Sequence, residues 1–108
     1  MPAEASEERL AIAADPTDRG ARLVLRGRLD VATAAAAAIA IDRRLGPGKE
    51  VHVDLSEVTY IDHAGLRTLI GAHGRASSVA CAWRLTAPRS PSGRRPLERT
   101  GTLQALTR

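Results

Sequence analysis

Two stretches of strand periodicity, RLVLRGRL (residues 22–29) and VHVDLS (51–56), flank VATAAAAAIAIDRRLG, an alanine run of helical spacing, and this order constrains the chain more than anything else in it. In the alanine run Ala34, Ala38, Ile41 and Leu45 fall on one helical face; Asp30 is positioned to cap the first turn, and Gly46 and Pro47 end the run. The GPGK at Gly46–Lys49 lacks the spacing and trailing hydroxyl of a phosphate-binding loop and reads as a turn. A strand, a helix and a second strand in this order predict a right-handed crossover between parallel neighbours. RLAIAA (9–14) precedes them as a strand paired with 22–29 through a turn at Pro16, Asp18 and Gly20. Residues 64–76 read as a second helix and WRLTA (83–87) as a fourth strand. PRSPSG is then a loop, and RRPLERTG a short third helix closed by Gly101. The fold class is α/β, a mixed, partly parallel sheet of four to five strands covered by helices.

A chain of 108 residues has room for one core, so residues 1–108 are expected to form a single domain, with 1–8 as a disordered tail. The chain has no Phe, and Tyr60 and Trp83 are its aromatics, so Ala, Leu, Val and Ile must fill the interior. A lone Cys81 in apolar surroundings forms no internal disulfide and is expected to be an inert core residue. No apolar run approaches a membrane span, and the acidic N-terminus lacks the features of a signal peptide; a cytoplasmic location without membrane insertion is expected. Basicity is concentrated at the C-terminal end, where residues 84–108 carry six arginines against Glu98. No aromatic side chains interleave with them, so an acidic protein partner or a solvated face fits better than nucleic acid.

Catalytic and metal patterns are missing from the sequence. Asp54 and Asp62 have no general acid obviously facing them, and His52, His63, His73 and Cys81 match no ligand spacing. His73 shares a helical face with Leu66, Leu69 and Ile70 and reads as a packing residue. No cofactor is implied. The junction IDHAG (61–65) is more informative. Asp62 suits a helix N-cap, because its carboxylate can accept from free amides of the first turn and its charge opposes the positive end of the dipole. Gly65 permits close approach of helix to sheet, with Leu66, Leu69 and Ile70 turned inward and Arg67, Thr68, Gly71 and Arg75 outward. His63 then stands exposed at the first helical position, beside unpaired amides that favour an anion.

VHVDLSEVTYIDHAGLRTLIGA resembles the signature of STAS domains, the anti-sigma factor antagonists, in which a strand ending in DLS leads into an Asp-Ser-(Ser, Ala or Thr)-Gly-Leu turn and helix. RLVLRGRLD is similar to the family's second strand with its Gly-x-Leu-Asp ending, and RRPLERTGTLQAL to its last helix, so the likeness spans about residues 9–106. In phosphorylated members, an anti-sigma factor of the GHKL serine-kinase type binds the domain and phosphorylates the serine after the Asp; the unphosphorylated domain holds that factor and frees the sigma factor. The resemblance implies that His63 occupies the acceptor position and that Ala64 removes the neighbouring hydroxyl. An imidazole cannot form that ester, nor does a neutral one imitate a dianionic phosphate. The implied role is a binding module that is not switched at residue 63, with a partner surface of Asp30, Asp62, His63, Ala64, Gly65, Arg67 and Thr68. It is expected to be a monomer or weak homodimer. Two alternatives stand beside it: a STAS subunit of another assembly, such as a lipid-transport ATPase complex or a stressosome-like scaffold, and a His63 that senses pH or itself accepts a phosphoryl group. Thr68 is the second choice for any modification. Ser56 at the end of its strand and Thr59 in the following loop read as backbone-satisfying hydroxyls, and Ser77, Ser78, Ser90 and Ser92 as loop residues.

Overall fold

Alternation in the second strand runs without interruption, and the structure turns it into one buried edge-to-edge row: Ala21, Leu23, Leu25 and Leu29 face the interior. The computed structural model describes residues 9–107; the expected tail at 1–8 lies outside them. The elements are β1 (Ala11–Pro16), β2 (Gly20–Leu29), α1 (Ala34–Asp42), β3 (Glu50–Ile61), α2 (His63–Ser78), β4 (Ala82–Thr86), α3 (Pro91–Arg99) and α4 (Thr102–Thr107). The sheet has four strands in the order β1-β2-β3-β4. β1 pairs antiparallel with β2, from Ala11 opposite Arg26 to Pro16 opposite Ala21. β2 and β3 are parallel, from Gly20 beside Glu50 to Leu29 beside Ile61, and β4 extends the parallel ladder from Ala82 beside Glu50 to Thr86 beside Asp54. The predicted crossover order and mixed sheet are therefore present.

β3 is twice the length expected. Ser56 lies inside it rather than at its end, and Thr59 is on the strand, not in a loop. Its partner register shows why. From Val24 to Arg26 of β2, β3 advances from Asp54 to Glu57, and from Gly27 to Arg28 it advances from Val58 to Tyr60. Each step inserts one extra residue into β3, a bulge that breaks the period of two. The buried set accordingly runs Val51, Val53, Leu55 and then Val58 and Ile61.

These side chains meet Ala37 and Ile41 of α1, Leu66, Leu69, Ala72 and Ala76 of α2, and Leu97 and Leu106 of the last two helices in one core. Each fully buried leucine contributes about 1.5–3 kcal/mol. Cys81 is buried, as expected. His73 stands edge-on to Trp83 with ring centroids 5.4 Å apart, and the Trp83 indole N–H donates to the Leu106 carbonyl at 2.9 Å. The opposite sheet face is polar: the Arg22 guanidinium donates to a nearly buried Asp54, Arg26 pairs with Glu57 at 2.7 Å, and His52 is hydrogen bonded to Thr86 at 2.7 Å.

Several sequence expectations are corrected. Ile70 is half exposed and does not face the core; Ala72 and Ala76 fill that part of the helix face instead. Ser77 and Ser78 belong to α2, and Ser92 to α3, which begins at Pro91 inside the expected loop, with Ser90 as its N-cap. Pro tolerates the first helical turn, where its missing N–H has no partner to lose. Gly101, at φ +71°, closes α3 as expected, but a further helix, α4, follows at once. Pro16 ends β1 rather than lying in the turn. Asp30 does not cap α1: the N-cap is Thr33, without a side-chain cap bond.

Candidate functional site

β2 and β3 end side by side at Leu29 and Ile61, which brings the loop leading into α1 against the first turn of α2. Asp62 joins the two. Its extended backbone makes it the N-cap of α2; Oδ1 accepts from the Gly65 N–H at 2.9 Å and Oδ2 from the Val31 N–H at 3.1 Å. Its own N–H donates to the Leu29 carbonyl at 3.2 Å. The predicted capping role is met, and the carboxylate also ties down a second loop.

Gly65 is buried where the helix crosses the sheet. A Cβ there would lie 2.4 Å from the Leu29 carbonyl oxygen and 3.0 Å from side-chain atoms of Ile61 and Leu29. With that contact set, His63 at the first helical position projects into solvent, Ala64 and Thr68 are half-buried, and Arg67 is exposed. Thr68 is thus less accessible than the sequence implied.

Asp30 lies across the junction. Its Oδ1 accepts from the Ala32 N–H at 3.0 Å, an Asx turn in place of a helix cap, and its Oδ2 faces the Arg28 Nε at 3.4 Å. The Thr33 hydroxyl donates to the Arg28 carbonyl at 2.8 Å and accepts from the Asp30 N–H at 3.0 Å, which leaves it no role at the α1 N-terminus. The Arg28 guanidinium sits over the Tyr60 ring, 4.2 Å from its centroid. Asp30, Asp62, His63, Ala64, Gly65, Arg67 and Thr68 are therefore all carried by two adjoining segments at one end of the sheet.

The sequence reading missed Val31. It is 78% exposed, and the Asp62 bond fixes its backbone beside the first turn of α2. Ile39 on α1 and Ile70 on α2 are also half exposed. Counting residue 31 into the alanine helix hid this; a valine next to an Asx-forming Asp was the available signal.

The remaining candidates lie elsewhere. His52 is on the polar sheet face, His73 against Trp83 and Cys81 in the core, and among the described residues no three His, Cys, Asp or Glu side chains cluster as metal ligands do. Asp54 is a structural ion. Burial pushes its carboxyl up, but hydrogen bonding from Ser56 and the Arg22 guanidinium outweighs that and holds it below the usual range. No helix among the described residues is long and apolar enough to cross a membrane.

A family model described as "Mlab, STAS domain" matches residues 12–106. No curated protein matches the chain. Among solved structures it is similar to an anti-sigma factor antagonist from Mycobacterium paratuberculosis, at 22% identity over 92% of this chain and 84% of that one, with a TM-score of 0.75. It is also similar to the anti-sigma factor antagonist SpoIIAA in its unphosphorylated form, at 20% identity over 91% and 86% of the two chains with a TM-score of 0.66. An antisigma-factor antagonist STAS domain from Rhodobacter sphaeroides aligns at 17% identity over 72% and 86%, with a TM-score of 0.59. At these identities the structural likeness establishes the fold.

Proposed function

The chain belongs to the STAS domain family, and on that premise we propose that it is a non-catalytic regulatory module that binds an anti-sigma factor of the GHKL serine-kinase type, releases a sigma factor, and is not switched at residue 63. The observation that carries this reading is the exposed first turn of α2. His63 projects at the position that the family pattern gives to a phosphorylated serine, beside an exposed Val31 whose backbone Asp62 holds in place. In such a contact Val31 would supply an apolar centre and the charged and polar side chains around it a rim. Asp30, Asp62, His63, Ala64, Gly65, Arg67 and Thr68, with Val31, form the proposed contact region. Such a module would act in the cytoplasm, without nucleic acid or a cofactor.

With no hydroxyl at residues 63 or 64 the domain stays in its binding-competent form. A phosphate at a helix N-terminus adds nearly two negative charges and three acceptor oxygens, and a neutral imidazole supplies neither. A second reading, a STAS subunit of another assembly, is favoured by the description of the matched family model, which is Mlab rather than an antagonist.

The test is co-purification from lysate by wild type and His63→Ser, each with and without ATP, with bound proteins identified and the bait weighed by intact-mass spectrometry. Wild type is expected to retain a GHKL-type factor in both conditions, while His63→Ser gains about 80 Da, one phosphate, and releases it with ATP. Recovery of transporter or scaffold components by both proteins, with no such kinase, replaces the first reading with the second.

A further inference from the structure

β2 and β3 finish at the α2 N-terminus, and all three parallel strands start at the opposite end of the sheet, where three separate segments bring cations together. Arg19 comes from the β1–β2 turn, Arg43 and Arg44 from the end of α1, and Lys49 from the residue before β3; they line a cleft of about 340 Å3. From this convergence we infer a second binding site, a cleft for a compact, multiply charged anion bearing phosphate groups.

The backbone holds the four positions close. The Glu50 N–H donates to the Arg19 carbonyl at 3.0 Å, the Lys49 N–H to the Gly46 carbonyl at 3.1 Å, and the Lys49 carbonyl accepts from Ala82 at 2.8 Å. Gly20 passes so near β3 that a Cβ on it would lie 2.1 Å from the Glu50 carbonyl oxygen. On the other side, Arg43 and Arg44 donate their N–H groups to the Ile39 and Ile41 carbonyls at 3.1 and 2.9 Å. The turn, the helix end and the strand start are thus pinned, and the like charges are not separated by moving the chain.

Convergence on one concavity, rather than the lack of ion-pair partners alone, sets these four cations apart. Arg22, Arg26, Arg28, Arg75 and Arg94 each have a carboxylate partner; among the described residues the four cleft cations form no ion pair, and neither do Arg67, Arg84, Arg89, Arg95 and Arg99, which do not line the cleft. Asp18 is the one carboxylate lining the cleft. The C-terminal end of α1 accounts for cations at Arg43 and Arg44 through its dipole, but it gives no reason for Arg19 and Lys49 to face them.

The lining defines the ligand class. Arginine forks match tetrahedral oxyanions in bidentate fashion, and lysine adds a point charge. No aromatic side chain is present to stack on a base or ring. The volume lies near the lower end of the roughly 300–1,000 Å3 of small-molecule pockets, which suits an anion more than an elaborated ligand. Free polyphosphate and a phospholipid headgroup share this chemistry. Because the cleft lies at the far end of the sheet from His63, its occupancy is compatible with the protein contact proposed above.

The experiment titrates the full chain with tripolyphosphate by calorimetry at low salt, and measures sedimentation with phosphatidylcholine vesicles with and without phosphatidic acid. Arg43→Gln/Arg44→Gln and, separately, Lys49→Gln are compared with Arg43 and Arg44 intact but Arg95→Gln/Arg99→Gln, which removes equal charge from exposed positions of α3. The double cleft variant is expected to weaken binding about tenfold or more and Lys49→Gln severalfold, while the α3 variant changes it less than about twofold. Binding of tripolyphosphate identifies a free anion, and binding of phosphatidic acid vesicles alone identifies a lipid headgroup. Equal losses in the cleft and α3 variants, or no binding of either probe at millimolar concentration, overturns the assignment.

Discussion

Replacement of Gly65 by alanine sets two effects of opposite sign against each other. Alanine is a better helix residue than glycine by about 1 kcal/mol, so a glycine inside a helix with free space around it gains from the change. At residue 65 the added methyl meets the Leu29 carbonyl oxygen at 2.4 Å, and a backbone atom within the sheet does not yield as a flexible side chain does. Relief requires α2 to lift from β2, which also stretches the 2.9 Å bond from the Gly65 N–H to Asp62. Overpacking costs about 1–3 kcal/mol and loss of an N-cap about 0.5–2 kcal/mol. After the propensity gain, Gly65→Ala is expected to destabilise the protein by about 1–3 kcal/mol, lowering Tm by about 4–8 °C for each kcal/mol. Gly74 on the same helix is the internal control. Nothing lies within 4 Å of a Cβ there, so Gly74→Ala is expected to stabilise by about 0.5–1 kcal/mol. Urea unfolding of the three proteins decides it. If Gly65→Ala equals or exceeds wild type in stability, α2 does not sit on β2 as closely as the site geometry requires.

Asp62→Ala removes both acceptor bonds of the junction and is expected to cost about 1–2 kcal/mol in urea unfolding. Asp62→Asn retains an acceptor and is expected to recover about half of this; a loss under roughly 0.5 kcal/mol in Asp62→Ala removes the argument that this carboxylate joins the two loops. The polar sheet face predicts acid sensitivity. Burial lowers the His52 pKa, aided by the charge of Arg84, and Asp54 also titrates below its usual value. In both groups the unfolded chain takes up the proton first. Stability is therefore full above about pH 6.5, falls as His52 protonates in the unfolded state, and falls again below about pH 4 as Asp54 does so. Thermal melts from pH 7.5 to 5 are expected to show a shallower decline in His52→Gln than in wild type, and parallel curves contradict the assignment.

How far the sequence was legible depended on whether local period matched depth. The β2 pattern reaches the strand's last residue, Leu29. β3 alternates only to Leu55; two bulges shift the inward set to Val58 and Ile61, so the remainder of the strand lacks a strand's period of two. Ile70 has the spacing of a core residue, yet it is half exposed while the smaller Ala72 and Ala76 are fully buried. Gly65, Leu69, Ala72 and Ala76, at i, i+4, i+7 and i+11, form the buried stripe, and Ile70 lies off it although it is four residues from Leu66. Pro91 and Gly93 carry the composition of a loop, but proline suits a first helical turn, and a Cβ at Gly93 would be 2.8 Å from the Val58 carbonyl oxygen, so glycine is there for proximity. At the site, Asp62 and Gly65 were legible because a cap and a close approach each demand a residue type. Val31 carries only the weaker signal of an Asx-forming Asp beside it, and its place against α2 depends on the bond to Asp62, which is far away in sequence.

The same geometry bears on the substitution at residue 63. Asp62 supplies its carboxylate to Gly65 and Val31, and Gly65 supplies the close approach; neither contact involves the side chain between them. His63 is exposed, and no hydrogen bond of its imidazole is found among the described residues. The fold therefore places no demand on residue 63 beyond a helix start, and its identity is free to be set by what binds there. His63→Ser is then expected to fold with a stability within about 0.5 kcal/mol of wild type, as a surface change does. If melts instead show a loss of 2 kcal/mol or more, about four times that margin, the imidazole supports the junction. The contrast between wild type and His63→Ser would then no longer isolate the chemistry of the acceptor position.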